Sequence, residues 1–188
     1  EQWFYRITDY AQQLLDDMDT VDWPEKVKVM QRHWIGRSEG TEFGLAVADD
    51  DGNARSDVEP LMVFTTRPDT SFGITFAVIS PEHPRVDELT TADRKADVDA
   101  FRAEVAGRSE IDRMSTSAAL DKRGVATGGR VVNPFTGIAI PIFLADYVLM
   151  TYGTGAIMAV PGQDQRDWDF AKAHGCEIVR TVEPPDDF

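Results

Sequence analysis

Residues 61–70, LMVFTTRPDT, join an apolar β-strand to a cluster of polar side chains. The apolar run at 61–66 predicts the strand. Pro68 ends it, because proline fixes φ and cannot donate a hydrogen bond to a neighbouring strand. The chain turns there, so the polar side chains can converge at the strand end instead of alternating across a sheet. Their hydroxyl and guanidinium groups are suited to bind a carbonyl or phosphate oxygen. An ordinary turn, in which Asp69 accepts hydrogen bonds from local amides, fits the same residues.

Short strands and a few helices are predicted on both sides of this segment. Alternating apolar residues, turn residues and apolar residues at helical spacing support these elements. Because short strands outnumber helices, we predict a β-rich α+β fold built as a β-barrel with peripheral helices. The further predicted strands are 43–47, 75–80, 130–133, 138–143, 147–150 and 156–160, and the predicted helices are 4–18, 27–34, 90–107 and 164–174.

The pattern changes from helical to strand-like near residue 36, at a stretch bounded by glycines. We therefore assign residues 1–35 to a helical segment and linker, 36–184 to the main domain and 185–188 to an exit linker. The chain begins with Glu1 rather than Met, so we expect a piece of a longer, cytoplasmic protein. No apolar stretch approaches the roughly 18–20 residues that a membrane-spanning helix needs.

Composition narrows the function classes. The 188 residues include 19 Lys or Arg and 33 Asp or Glu, which gives a net charge of −14. Such acidity argues against a free-standing nucleic-acid binder, whose affinity depends on basic residues displacing phosphate counterions, and against a basic membrane-surface module. Cys176 is the only cysteine, so no internal disulfide can form, and the three histidines lack ligand-like spacing. Nothing in the sequence indicates a metal site.

Two later segments could also carry chemistry. In YGTGAIMAVP, residues 152–161, two glycines allow close backbone approach by a ligand, and Met158 and Val160 share one strand face. A turn entering a core strand explains that segment equally well. In QDQRDWDF, residues 163–170, Asp164 is a predicted helix N-cap and Asp167 follows one turn later. The two carboxylates could hold a cationic amino group or orient a water, although helix capping alone also explains Asp164.

Five segments, taken in order, resemble the editing domain of bacterial leucyl-tRNA synthetases, also called connective peptide 1. Related domains of isoleucyl- and valyl-tRNA synthetases are near alternatives. The resemblance implies the editing-domain β-barrel shared by these synthetases, and it implies that residues 1–35 come from the synthetase body. The matching segments are WIGRSEG (34–40), TTRPDT (65–70), NPFTG (133–137), ADYVLM (145–150) and residues 152–167.

The resemblance implies an aminoacyl-tRNA deacylase, which cleaves the ester of tRNA(Leu) mischarged with isoleucine, norvaline or methionine-like side chains and spares leucine. A second site is needed because a pocket separates side chains differing by one methylene by only about 1–3 kcal/mol, as related synthetases illustrate. The implied partners are the 3′ end of the tRNA with its terminal adenosine and the rest of the synthetase. We expect a monomeric fragment that binds tRNA weakly alone, with no membrane partner. We also expect no cofactor in this domain. The parent enzyme would use ATP in another part of its chain. A binding insertion without catalysis is the alternative.

The resemblance also assigns roles to residues of the site. Thr70 would exclude the leucyl side chain, and Asp167 would hold the α-ammonium of the substrate, with Asp164 as support. A positioned water would be the nucleophile. Gln163 departs from the family pattern, which often has His there, so a general base at this position is in doubt. The implied catalytic set is Thr65, Thr66, Arg67, Thr70, Asp164 and Asp167, and the implied substrate-binding set is Phe64, Leu149, Tyr152, Met158, Val160 and Arg166.

Overall fold

A computed structural model describes residue 3 and residues 5–108, 123–150 and 153–182. Tyr152, the beginning of the predicted helix 4–18 and the predicted linker 185–188 lie outside the described residues. The chain divides into two compact units, Glu1–Glu39 and Gly40–Phe188. The assignment of the first unit to a synthetase body stays a prediction. No helix in the described part of the chain is long and apolar enough to cross a membrane.

The first unit is helical, but the predicted helix over 4–18 is not continuous. A 3₁₀ turn at Ile7–Tyr10 precedes helix α1 (Ala11–Asp16), and a second 3₁₀ turn follows at Asp17–Thr20. Asp16, Asp17 and Asp19 lie at this end, where the negative end of the helix dipole makes acidic side chains unfavourable. Helix α2 (Glu25–Ile35) extends the helix predicted at 27–34 by a few residues and ends at Gly36 in the left-handed region, φ +67°.

The second unit is a mixed six-stranded sheet with helices, so the predicted α+β class is confirmed. The strand order is β2-β1-β4-β5-β3-β6, and every neighbouring pair is antiparallel except β3 and β5. The sheet is not closed, so the predicted barrel is not confirmed. The elements are β1 (Thr41–Val47), β2 (Leu61–Thr65), a 3₁₀ helix at Pro68–Gly73, β3 (Phe76–Ile79), α3 (Lys95–Val105), β4 (Gly124–Val132), β5 (Ala139–Ala145), β6 (Ala156–Ala159) and α4 (Gln165–His174).

The predicted strand at 147–150 is wrong. The chain leaves β5 in a turn in which the Val148 N–H donates to the Ala145 carbonyl. Val148 is buried without belonging to the sheet, because it packs in the same apolar cluster as Phe143 and Phe170. A short apolar run therefore marked burial rather than strand geometry.

Apolar residues cover both faces of the sheet. On one face, Phe76 and Phe143 pack against Phe170 of α4, with the rings of Phe76 and Phe170 stacked 5.3 Å apart. On the other face, the main cluster includes Val98 of α3 and the buried strand residues Val63 and Leu144. Burial of this apolar area is the principal stabilising contribution of the fold, and it fixes α4 rigidly against the sheet.

The candidate site lies where β2 and β6 end and α4 begins. Strands β2 and β6 form opposite edges of the sheet, yet the Thr154 hydroxyl donates to the Met62 carbonyl across 2.7 Å, so the curved sheet brings the two edges together. Beyond β2 the chain enters the 3₁₀ helix at Pro68–Gly73, and beyond β6 it turns into α4. Residues after β2 and residues before α4 therefore face each other.

Candidate active site

A cavity of about 160 Å³ lies between the end of β2, the end of β6 and the start of α4. All six residues of the implied catalytic set line it, together with Met158 and Val160. Spacing in the sequence does not predict that residues 65–70 and residues 158–167 lie close together, because the two segments are nearly a hundred positions apart. Their roles in a reaction stay predictions. The lining residues are Thr65, Thr66, Arg67, Thr70, Met158, Val160, Gln163, Asp164 and Asp167.

Two buried threonines form a rigid side of the cavity. The Thr65 hydroxyl accepts a hydrogen bond from the Arg67 N–H at 3.0 Å, and the Thr70 hydroxyl donates to the Arg67 carbonyl at 2.9 Å. Pro68 begins the 3₁₀ helix that carries Thr70, and its fixed φ favours that helical turn. Because the Thr70 hydroxyl is engaged with the backbone, its methyl group is available to shape the cavity wall.

The Arg67 guanidinium is held by a carboxylate of the same turn. Its Nε and Nη2 donate to the two carboxylate oxygens of Asp69 at 3.0 and 2.8 Å. These hydrogen bonds lower the pKa of Asp69 below its usual value and raise the pKa of Arg67. The pair is solvent-exposed, so it adds little stability. It leaves the cavity rim nearly neutral at this point and fixes the orientation of the guanidinium.

Helix α4 begins at the cavity with an aspartate cap. Asp164 Oδ1 accepts hydrogen bonds from the backbone N–H groups of Arg166 and Asp167, at 2.8 and 3.2 Å. The capping interpretation of Asp164 is therefore confirmed, and this oxygen is already occupied by the helix. Asp164 supports Asp167 by holding its backbone in the first helical turn.

Asp167 is the buried carboxylate of the site, with 7% of its surface exposed. Its Oδ2 accepts a hydrogen bond from the Val160 N–H at 2.7 Å, which ties α4 to the end of β6. Asp167 lies in the first turn of α4, near the positive end of the helix dipole, where an acidic side chain is favourable. The chemistry of a carboxylate in this position suits pairing with an ammonium group, and this role of Asp167 stays a prediction.

Two residues near this carboxylate, Tyr147 and Gln163, had no role assigned to them from the sequence. Tyr147 lies close enough for Asp167 to raise its pKa, in addition to the larger effect of burial, and its hydroxyl finds no hydrogen-bond partner among the described residues. No local sequence signal identified it, because the proximity is created by the packing of α4. Gln163 lines the cavity, and its Nε2 donates to the Thr181 hydroxyl at 3.1 Å. The signal for Gln163 was its place in the segment with Asp164.

Three described residues of the implied substrate-binding set, Phe64, Leu149 and Arg166, do not line this cavity. Phe64 alternates with Thr65 along β2, so its side chain points to the other face, next to Gly153. Arg166 is solvent-exposed and lies 3.7 Å from Asp164. Leu149 is half-buried in the turn after β5, and Tyr152 is outside the described residues. Among these residues, contact with a nucleoside beyond the cavity stays a prediction.

The arrangement supplies hydroxyl donors on one side of a small cavity and a fixed carboxylate on the other. Apolar atoms of Met158 and Val160 complete the wall between them. These groups can bind a small α-amino acyl group, with hydroxyls near its carbonyl oxygens and the carboxylate near its ammonium. No group of three or more His, Cys, Asp or Glu residues in the described ranges could hold a metal ion.

Three kinds of comparison with known proteins indicate the same family. The family described as "Leucyl-tRNA synthetase, editing domain" matches residues 32–188. A leucine–tRNA ligase of Saccharopolyspora erythraea is 49% identical over 203 residues, covering 100% of this chain and 20% of that relative. The corresponding enzyme of Roseiflexus castenholzii is 53% identical over 190 residues, covering 98% of this chain and 21% of that relative. The crystal structure of the LeuRS–tRNA–LeuAMS ternary complex of Agrobacterium radiobacter has a TM-score of 0.73 and 37% identity, covering 98% of this chain and 21% of its own. The chain thus spans about a fifth of the length of these relatives.

Proposed function

The chain belongs to the leucyl-tRNA synthetase editing-domain family, as its motifs predicted, and from this premise we propose that it hydrolyses the ester of mischarged tRNA(Leu) while sparing leucyl-tRNA. The preferred side chains are isoleucine, norvaline and methionine-like groups. The observation that supports this most strongly is the meeting of Thr70 and Asp167, from distant parts of the chain, in one cavity.

The residues that line the cavity support one orientation of such a substrate. The α-ammonium pairs with Asp167, whose position is set by the Val160 N–H. The amino-acid side chain then lies against Met158, Val160 and the Thr70 methyl group, where extra bulk in the wrong direction meets a buried threonine. Thr70 discriminates by steric exclusion, since a clash penalises the correct amino acid without any need to bind it.

Hydrolysis needs a water and stabilisation of the developing oxyanion. The hydroxyls of Thr65 and Thr66 and the guanidinium of Arg67 are the donors at the cavity that can face the ester oxygens. The Thr65 hydroxyl accepts from Arg67 N–H, which leaves its own proton to donate. A water attacks the ester carbonyl carbon, the bond between that carbon and the ribose oxygen breaks, and one proton of the water passes to the ribose oxygen, so that the free amino acid and a ribose hydroxyl are released.

The remaining partners follow from the same proposal. The 3′ end of tRNA(Leu) enters with its terminal adenosine, and the remainder of the synthetase supplies most of the affinity for the tRNA, since the chain carries a net charge of −14. This domain needs no cofactor, and ATP is used elsewhere in the parent enzyme. The parent enzyme acts in the cytoplasm.

The test compares hydrolysis of isoleucyl-tRNA(Leu) and leucyl-tRNA(Leu) by the full-length synthetase and its Thr70→Ala variant. The wild type should hydrolyse only the first ester, and the variant should hydrolyse leucyl-tRNA about tenfold or more faster than the wild type. Thr90→Ala is a matched control, because the Thr90 hydroxyl also donates to a backbone carbonyl, that of Val86, and neither residue lines the cavity. Failure of the wild type to hydrolyse isoleucyl-tRNA would favour a non-catalytic binding insertion.

A further inference from the structure

We propose that Ser71 is a positioning residue that sets the selectivity of the cavity for the amino-acid side chain, because its hydroxyl holds Met158 in place. This inference rests on the proposed function and adds a residue that does not itself line the cavity. The Ser71 hydroxyl donates to the Met158 sulfur across 3.6 Å, and this buried hydrogen bond joins two segments that are 87 positions apart.

The Ser71 hydroxyl is removed from water. Ser71 lies in the 3₁₀ helix at Pro68–Gly73, with none of its surface exposed. A hydroxyl in such a place needs a hydrogen-bond partner, and within the described part of the chain its partner is the Met158 sulfur. Because a thioether is a weak acceptor, this hydrogen bond adds little to the stability of the fold. Its main effect is to hold the sulfur of Met158 at one point.

Met158 is the adaptable part of the cavity wall. A methionine side chain is unbranched and has three rotatable bonds, so it can follow the shape of whatever lies against it. Strand β6 fixes the Met158 backbone opposite Ala77 of β3, and the side chain packs in the main apolar cluster with 8% of the residue exposed. A fixed sulfur position also fixes the two torsions that precede it. The carbon chain of Met158 therefore presents a constant surface to the cavity.

One short helix holds two walls of the cavity. Thr70 lines the cavity directly, and its hydroxyl donates to the Arg67 carbonyl. Ser71 is the next residue and reaches Met158, which lines the cavity from β6. The Ile74 N–H donates to the Ser71 carbonyl at 3.3 Å, so the backbone of this turn is itself closed by a hydrogen bond. The separation between Thr70 and Met158 therefore depends on the position of Ser71.

Release of Met158 should favour the longer of two unbranched substrates. The norvalyl and methionyl side chains are both linear, and the methionyl side chain is longer by one heavy atom. A wall that is held in place penalises the additional atom, whereas a wall that can adopt other rotamers makes room for it. An apolar pocket distinguishes such similar side chains only weakly, so a modest movement of one wall changes their relative rates measurably.

The experiment measures kcat/KM of the full-length synthetase for hydrolysis of methionyl-tRNA(Leu) and norvalyl-tRNA(Leu). In Ser71→Ala the ratio of the methionyl value to the norvalyl value should rise about 3- to 10-fold. Ser80→Ala is the matched control, because Ser80 is also fully buried and its hydroxyl donates to Glu82, but it does not line the cavity. A general loss of stability lowers both values together and leaves the ratio unchanged. An unchanged ratio in Ser71→Ala, or an equal rise in Ser80→Ala, would overturn the inference.

A double-mutant cycle tests whether Ser71 acts through the sulfur of Met158. Met158→Leu conserves apolar volume and removes the acceptor. In the Met158→Leu background, Ser71→Ala should change the ratio by less than about twofold, because the interaction that it removes is already absent. A further rise as large as that of Ser71→Ala alone would show that Ser71 acts by another route, and would contradict the inference.

Methyl NMR of the full-length synthetase, labelled at its methionine methyl groups, measures the hold on Met158 without hydrolysis. The Met158 signal is the one that disappears in Met158→Leu. Its order parameter should fall in Ser71→Ala and stay unchanged in Ser80→Ala. An order parameter that does not fall in Ser71→Ala would refute the inference. A fall in a protein that hydrolyses neither ester would support the hold on Met158 and refute the proposed hydrolysis, so the two failures are distinguishable.

Discussion

Substitution of Asp167 separates a structural role of the carboxylate from a role in binding the substrate. Asp167 is buried, and its Oδ2 accepts the Val160 N–H at 2.7 Å. Asp167→Asn retains a side-chain oxygen that can accept this hydrogen bond, although it removes the charge. Asp167→Ala removes both, so the two variants should differ in stability and resemble each other in activity.

The expected stability loss follows from the hydrogen bond. Asp167→Ala leaves the buried Val160 N–H without its acceptor, which costs about 1–3 kcal/mol in the free energy of unfolding. Asp167→Asn should cost about 1 kcal/mol or less, since it replaces a charge-assisted hydrogen bond with a neutral one. Urea denaturation of the full-length protein, followed by a probe of this domain, measures the difference.

The expected activity loss follows from the charge. Loss of a desolvated carboxylate that pairs with an ammonium typically costs about 2–5 kcal/mol, so kcat/KM for isoleucyl-tRNA(Leu) should fall about 30-fold or more in both variants. Asp169→Asn, on the same helix and hydrogen-bonded to Gln165, is the control and should retain activity. Full deacylation by Asp167→Asn would refute the argument, because it would show that the negative charge is not used by the substrate.

Two further predictions concern stability. Asp164→Ala should lower the free energy of unfolding by about 1 kcal/mol, because it removes the N-cap of α4. Asp164→Asn should lower it by less, because Asn also caps helices. Denaturant titrations measure both losses, and equal losses would contradict a capping role. Burial, with a contribution from Arg85, lowers the pKa of His83 below its usual value. The unfolded chain therefore binds this proton more readily, so stability should fall as pH drops from about 7 to about 5, below the unfolded pKa of about 6.5. His83→Asn keeps an acceptor for the Arg85 N–H and should flatten this part of the pH profile of unfolding; an unchanged profile would exclude His83 as the cause.

Local elements were predictable where the sequence contains an explicit stop signal. Pro68 ends the strand before it, and Gly175 ends α4 in the left-handed region at φ +69°, as its position predicted. The apolar run at 147–150 has no such signal and was misassigned as a strand. The open sheet order could not be deduced from single strands, because pairing of β3 with β5 depends on packing across the whole unit.

The site was predictable in its parts, and the resemblance supplied their combination. Residue types at 65–70 and 163–167 pointed to hydroxyl donors and a carboxylate, but spacing could not show that the two segments share one cavity. The position of Phe64 outside the cavity was predictable, because successive residues of a strand point to opposite faces and Thr65 lines the cavity. The proximity of Tyr147 to Asp167 arises only from tertiary packing and had no sequence signal.

The most direct test of the central claim is a crystal structure of the full-length protein with a non-hydrolysable amide analogue of 3′-isoleucyl-adenosine. We predict that the α-ammonium lies within hydrogen-bonding distance of the Asp167 carboxylate, with the isoleucyl side chain against Thr70 and Met158. An analogue bound elsewhere, or bound here with its ammonium directed away from Asp167, would contradict the account.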